Sequence, residues 1–561
     1  MFDRAGEQAS RSAGRNLARA RGFSGSAMRL ASLGFLSALL LSCASTSHPA
    51  RSEAPVEDYG PGAEVHLLQR WAFGPSAREL AEVRRLGVRG WVEARLVRRD
   101  TPMSPALAGK LQALPTLELS MSQLLDAYPN RKEREQALLD GRELERPARI
   151  GEELSAAKLL RAVEGPNPLE EVLVDFWFNH FNVSADKGVV RWMVTSYERD
   201  AIRPHVFGRF RTLLGATARH PAMLVYLDNW RSKRDGMPER GRALRDAEDE
   251  GDAELDAEPR PGLNENYARE LLELHTLGVE GGYSQTDVRE VARCFTGWSV
   301  KKPREAPEFV FRRRVHDPES KRVLGQELAA GGGEADGERV LDVLARHPST
   351  ARHLATKLAR RFVSDSPPPA LVDRLAKVFL DTEGDLSSVY RALLDAPEFW
   401  APEARGAKVK TPFEFVVSAL RATGAEVQVH PRLVRSVAKM GEPLYRAPAP
   451  TGFPEVAAPW VNSGSLVARL NFGLDLVSGR MPGARVVMET VAWPTAPTAE
   501  AWLEALGLAL LGSPPSEETK ATVLAALSRR KESASAEAER GPVDVALIAG
   551  LLLGSPEFQR Q

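Results

Sequence analysis

Between Asn167 and Val183, seven apolar side chains (Val172, Leu173, Val174, Phe176, Trp177, Phe178 and Phe181) fall on nearly every side of a helix turning ~100° per residue. The start of that helix is marked by Asn167 as N-cap, Pro168 at the first helical position and Glu170 three residues after the cap. A helix apolar on almost all sides must be enclosed by others, so the chain is expected to build a multi-helix body around it. The one polar stripe on this helix is Glu171, Asp175, Asn179 and Asn182, at successive spacings that keep to one face. Polar groups buried at such a position need partners, and the stripe predicts an internal hydrogen-bond network. His180 lies instead among Phe176 and Leu173, as either a hydrogen-bonded core histidine or a metal ligand.

The rest of the chain is compatible with that frame. Of 561 residues, 43% are hydrophobic and 27% charged, enough apolar material for a large core and several domains' length of polypeptide. Amphipathic helical stretches recur with short Pro/Gly breaks: two short helices over Val65 to Leu96, a solvated segment over Arg131 to Glu145, and three helices between Glu338 and Trp400. Asp385 is read as a helix N-cap rather than part of a calcium loop. The only strand signal, Phe309 to Val315 and then Arg322 to Leu324, predicts a small β-hairpin near 309–324. The fold class expected is therefore mainly α, a multi-helix globular array with one small hairpin. A run of acids at Asp246, Glu248, Asp249, Glu250, Asp252, Glu254, Asp256 and Glu258 reads as a disordered insertion over 236–260.

A second helix, Leu263 to Gly278, can be capped by Asn264 and stopped by Gly278. On an α-helical wheel its buried face is Leu263, Tyr267, Leu271, Leu274 and Leu277, and Glu270 falls inside it. An acid there must be protonated, paired or metal-bound. Glu273 flanks it, while His275 projects about 140° away. A third helix, Ser284 to Thr296, has a Ser284/Asp287 capping box and a core stripe of Val288, Val291, Ala292 and Phe295, a structural pattern.

The N-terminal region carries an address. From Met28 the chain reads Met-Arg-Leu-Ala-Ser-Leu-Gly-Phe-Leu-Ser-Ala-Leu-Leu-Leu-Ser-Cys, with an apolar stretch from Leu30 to Leu41 that is short for a transmembrane helix. Leu40-Leu41-Ser42-Cys43 resembles a bacterial lipobox, so residues 1–43 are expected to be a lipoprotein-type signal with Cys43 as the lipidation site. A plain secretory signal and a membrane-spanning anchor are the other readings, and translation could start at Met1 or Met28. The Ser/Pro/Ala-rich stretch 44–62 reads as a tether. With Cys43 acylated, Cys294 has no partner and reads as a small buried hydrophobe. Two cysteines allow neither a disulfide framework nor a Cys-rich zinc site. Lys+Arg and Asp+Glu number 75 each, which argues against bulk nucleic-acid binding. The glycines 331–333 have no Lys-Ser/Thr after them, so a phosphate-binding loop is rejected, and no nicotinamide or flavin fingerprint is present.

Several motifs in order resemble one exported bacterial family, known only as domain of unknown function 1800. They are Phe176-Trp177-Phe178-Asn179-His180-Phe181, His220 to Asn229, Leu263 to Gly278, Phe295-Thr296-Gly297-Trp298 and His316-Asp317. The similarity runs from about Ala63 to Gly479, implying a helical family domain over 63–480 with 481–561 as a helical segment packed on or appended to it. The chain departs from the family through the acidic insertion and a Pro-Glu-Ser turn after His316-Asp317. The resemblance implies an exported protein with no established activity. It also implies a possible partner: a second exported family resembling the alkaline-phosphatase and sulfatase superfamily.

Two classes of function remain open. In the first, the chain is a lipid-anchored envelope scaffold or binding protein for an exported partner, with membrane contact through Cys43 and no nucleic acid. In the second it is a metal-assisted hydrolase acting on envelope or extracellular material. The catalytic candidates would be Glu270, His275, His180, Asp175, His316 and Asp317, with Asn179 and Asp228 nearby in type, and His180, Glu270, Glu273, His275 and His316 the candidate ligands of a divalent metal. No His-x-x-x-His, Glu-x-x-His or Gly-x-Ser-x-Gly element links them. No organic cofactor is indicated. Convergence of Glu270, His180, His275 and His316 around a cavity would favour the enzyme; scatter, or sealing by arginines, would favour the scaffold.

Overall fold

A computed structural model describes residues 59–97, 102–236, 262–486, 498–532 and 543–561. The lipobox with Cys43 and the acidic run therefore lie outside the described residues. Residues Tyr59–Gln561 form one compact unit, and among the described residues no helix is long and apolar enough to cross a membrane.

Helices dominate, as the periodicity predicts. The central one runs Pro168–His180, opened by Asn167, whose side chain accepts the Glu170 N–H. It ends three residues earlier than the pattern suggests, with Phe181 as C-cap. Leu169, Val172, Leu173, Val174, Phe176, Trp177 and Phe178 are all buried. Its neighbours include the helices Ala63–Trp71, Ala77–Leu96 and Ala148–Glu164 and the π-helical segment Tyr197–Ile202. The indole N–H of Trp177 donates to the Tyr390 hydroxyl at 2.7 Å, which donates to the Val206 carbonyl at 2.9 Å, tying helix Leu386–Leu394 to the centre.

Where three helices are expected, the stretch after Glu334 folds into Ala335–Ala345, Pro348–Phe362, Pro369–Asp381 and Leu386–Leu394, the last capped by Asp385 through the Ser388 N–H, followed by the short Pro397–Trp400. The Ser284/Asp287 capping box opens helix Gln285–Phe295 as expected.

The hairpin differs from expectation in its pairing. Phe309–Phe311 lies in the strand Glu308–Phe311, which pairs with Trp298–Lys301, while Lys321–Val323 pairs with Gln326–Leu328. Two hairpins replace one because each strand finds a partner closer in sequence, the first across residues 302–307 and the second across the two-residue turn Leu324-Gly325. A third two-residue pair joins Glu426–Val427 to Ala484–Arg485. One hydrophobic cluster spans Ala63 to Phe558. In it the C-terminal helix Val545–Leu553 crosses Ser463–Val477 where Gly550 and Gly473 sit. A Cβ on Gly550 would lie 2.6 Å from a Leu474 methyl, so the close approach depends on glycine.

Candidate functional site: an ion-paired centre beside a histidine cluster

The polar stripe of the central helix does enter a network, and every member finds a partner. Glu171 takes a bidentate pair from Arg203 at 2.7 and 2.9 Å. Asp175 pairs with Lys158 at 2.7 Å and lies 3.7 Å from Arg361 Nη2. Asn179 accepts the Phe453 N–H at 2.7 Å and donates to the Phe453 carbonyl at 2.8 Å. Asn182, just past the helix end, donates to the Ala449 carbonyl at 2.8 Å.

These contacts join into a larger centre. Arg361 is paired with Glu414 on helix Pro412–Ala422. Glu198 sits between Arg203 at 3.3 Å and the Tyr445 hydroxyl, which donates to it at 2.5 Å. The Lys158 ammonium lies 5.2 Å from the ring centroids of both Phe413 and Tyr445. Burial opposes the charge on Lys158, but Asp175 and Glu198 outweigh it and hold the amine charged. Glu442 makes no ion-pair contact among the described residues: burial first, then Asp175, push its carboxyl up to about 8. The cleft above this centre has a water-accessible volume of about 30 Å³, and Asp175, Asn179 and Glu455 are among the residues lining it. That holds roughly one or two waters and no organic substrate.

Facing the stripe is a second one that the sequence pattern did not disclose. His353, Lys357 and Arg361 recur every four residues on helix Pro348–Phe362, hence on one face. The His353 Nε2–H donates to the Leu274 carbonyl at 3.1 Å, and the His180 Nε2–H to the His275 carbonyl at 3.1 Å. Ring centroids are 6.2 Å apart for His180 and His353 and 6.3 Å for His180 and His275. Burial, then the Lys357 ammonium, drive the His275 and His353 rings down to about 3 and about 4, and His180 well below its usual value. Lys357 is itself lowered to about 8 by burial.

The accepted carbonyls belong to a π-helical turn, Leu271–Thr276, in which the Leu277 N–H reaches back five residues to Leu272 at 2.8 Å. This turn corrects the expectation for Glu270. An α-helical wheel assigns it to the buried face, but the wider turn changes the angular offset between residues on either side of it. His275 and Thr276 go inside, while Glu270, Glu273 and Leu274 are only half-buried. Glu270 has no ion-pair partner among the described residues, and burial followed by Glu273 raises its pKa. The compensated acid at the heart of the protein is Asp175, with Glu198 and Glu414, rather than Glu270.

The other candidates are elsewhere. His316 is buried, donating from Nδ1 to the Thr296 carbonyl at 2.7 Å, with Nε2 3.1 Å from Asp336, which also takes Lys321 at 2.8 Å. Asp317 is held by Arg293 at 2.7 and 3.1 Å. Asp228 pairs with Lys187 at 2.8 Å, and Glu273 accepts a long 3.4 Å bond from Tyr283. Cys294 is buried, and burial raises its thiol pKa. So His180 and His275 come together, joined by His353, whereas Glu270 and Glu273 lie at the edge of their helix and His316 and Asp317 form separate structural pairs. Among the described residues no three His, Cys, Asp or Glu side chains are arranged to hold a metal ion.

The loop after Leu444 carries a further contact without a sequence signal. Gly452, at φ 73°, lies so close to the end of the central helix that a Cβ would sit 2.4 Å from both Asn179 oxygens. A glycine two residues before Pro454 says only "turn" in the sequence; its neighbours are set by the fold.

A family model described as "Protein of unknown function (DUF1800)" matches residues 66–560. No curated protein and no solved structure shows significant similarity to the chain.

Proposed function

The chain belongs to the DUF1800 family, whose function is unknown, and from that premise we propose that it is a helical envelope protein, lipid-anchored through Cys43, that acts as a scaffold or binding protein for an exported partner. The observation that carries this reading is the engagement of the reactive side chains. Asp175, Glu171, Glu198 and Glu414 each have an arginine or lysine partner, and these pairs cross the helices Ala148–Glu164, Pro168–His180, Pro348–Phe362 and Pro412–Ala422. A network of such pairs fixes helices in register. His180 and His353 serve the same end, each donating to a carbonyl of the π turn.

The lipobox-like Leu40-Leu41-Ser42-Cys43 supports the anchor. Each acyl CH₂ buried in a membrane contributes roughly 0.8 kcal/mol, so two or three chains hold the protein firmly. The partner class is the sulfatase-like exported family that the resemblance implies. The test is co-expression of the full chain with such a protein, detergent extraction of the envelope, and affinity purification. A stoichiometric complex, together with release of Cys43→Ala from the membrane fraction, is expected. Absence of any complex sinks the scaffold reading, and unchanged membrane retention of Cys43→Ala sinks the anchor.

A further inference from the structure

Apart from the ion-paired centre, the strand Gln326–Leu328, the helix Ala335–Ala345 and the start of helix Pro348–Phe362 enclose a groove of about 410 Å³. That is the size of a small-molecule site. Part of its lining is apolar, from Leu328, Val343 and Pro348. Its charged lining holds two arginines, Arg339 and Arg346, and two acids, Glu327 and Asp342. Arg339 and Arg346 stand seven residues apart, two helical turns, so both lie on one face about 10 Å apart along the axis. Both are exposed, and neither has an ion-pair partner among the described residues. Of the two acids, one is ion-paired and the other faces a cation in the strand register. Asp342 accepts the Arg211 Nε–H at 2.6 Å, and Glu327 stands opposite Arg322 across the hairpin. His347 adds a donor: its Nδ1 accepts the Ser349 N–H at 3.1 Å, which leaves the proton of the neutral ring on Nε2.

We propose that this groove binds a compact polyanion, a small molecule carrying several carboxylate or phosphate groups, with Arg339 and Arg346 each gripping one oxyanion. A planar guanidinium recognises either group through paired N–H donors, and two guanidinia at this spacing select a ligand with anionic groups on opposite sides. The apolar lining accepts the ring or chain that connects them. This site is independent of the partner-binding role proposed above, since it shares no residue with the central network.

The test is isothermal titration calorimetry on the full chain with three ring probes of similar size: inositol hexakisphosphate, benzenehexacarboxylate and uncharged inositol. Saturable binding of either polyanion, with none of inositol, is expected, and which of the two binds tells phosphate from carboxylate. Arg339→Ala/Arg346→Ala should weaken binding at least about tenfold. The exposed pair Arg432→Ala/Arg435→Ala removes the same charge elsewhere and should leave it unchanged. Arg339→Lys/Arg346→Lys keeps the charge but loses the fork and should fall between. No saturable binding of either polyanion, or equal weakening by the two alanine pairs, overturns the proposal. Matching circular dichroism spectra for all variants show that the fold is retained.

Discussion

Glu442 is a buried acid with no ion-pair contact among the described residues, and its surroundings decide its protonation. The Phe413 N–H donates to its Oε2 at 2.8 Å, but burial and Asp175 together raise the carboxyl to about 8. In the folded protein it is mostly neutral at pH 7; in the unfolded chain it ionises near 4.5. The folded state thus holds the extra proton, so the stability linked to this group is fully present below 4.5 and is lost as pH rises through about 8. Glu442→Gln keeps an acceptor for Phe413 and removes the titration. Thermal melts from pH 5 to pH 9 should show a flatter alkaline side for the variant than for the parent; identical slopes contradict the assignment. The histidines act in the opposite sense. His275 and His353 titrate near 3 and 4 when folded and near 6.5 when unfolded, so the stability they provide is present above 6.5 and is lost as pH falls toward 4. His353→Gln can still donate to the Leu274 carbonyl but cannot take up a proton. Its melting temperature should fall less than the parent's between pH 7 and pH 5, and an equal fall would show that the ring is not the acid-sensitive group.

At the scale of elements, two helices meet through complementary stripes, acid and amide on Pro168–His180, basic on Pro348–Phe362. Removing one partner of a buried pair leaves a bare charge and costs about 3 kcal/mol, whereas removing both together costs less. Asp175→Asn should therefore destabilise the protein by up to about that much. Asp175→Asn combined with Lys158→Met should recover part of the loss, as read by urea denaturation in a double-mutant cycle. Additive losses would mean the two side chains do not interact. The first stripe was legible in the sequence because Glu171, Asp175, Asn179 and Asn182 interrupt an otherwise apolar helix. The second was not: His353, Lys357 and Arg361 are the residue types of a solvated face, and only packing shows that long cationic side chains point inward. The π turn at Leu271–Thr276 was hidden for another reason. It has no side-chain signature, and a wheel drawn at α-helical pitch exchanges the places of Glu270 and His275. Helix starts were readable almost to the residue, since Asn167, Ser284 and Asp385 each bond the backbone N–H that their spacing implies. Strand partners were not, because period-two alternation in Phe309–Phe311 says which residues alternate, not which strand lies alongside.

Across the whole molecule, the region after residue 480 shares one core with the helices before it. Lys410 is buried, and burial lowers its amine to about 7. Its hydrogen bonds go to the Ser418 hydroxyl at 2.9 Å and the Phe558 carbonyl at 2.7 Å, and its ammonium lies 4.1 Å from the Phe558 ring centroid. Lys408 and Gln561 exchange backbone bonds of 3.2 and 2.8 Å, and Phe558 packs against Phe415 with ring centroids 5.8 Å apart. Cutting the chain after residue 480 would strip an amine of its carbonyl partner and expose the face of Ser463–Val477 that Val545–Leu553 covers. An unpaired buried donor and a bared apolar face are both costly, and their sum approaches the ~5–15 kcal/mol that holds a domain together. A chain ending at residue 480 should accordingly lose its cooperative thermal transition and bind a hydrophobic dye, while Phe558→Ala in the full chain should keep a transition at lower temperature. If instead the shortened chain melts cooperatively within a few degrees of the parent, the last helices are an appended module and the core closes without them.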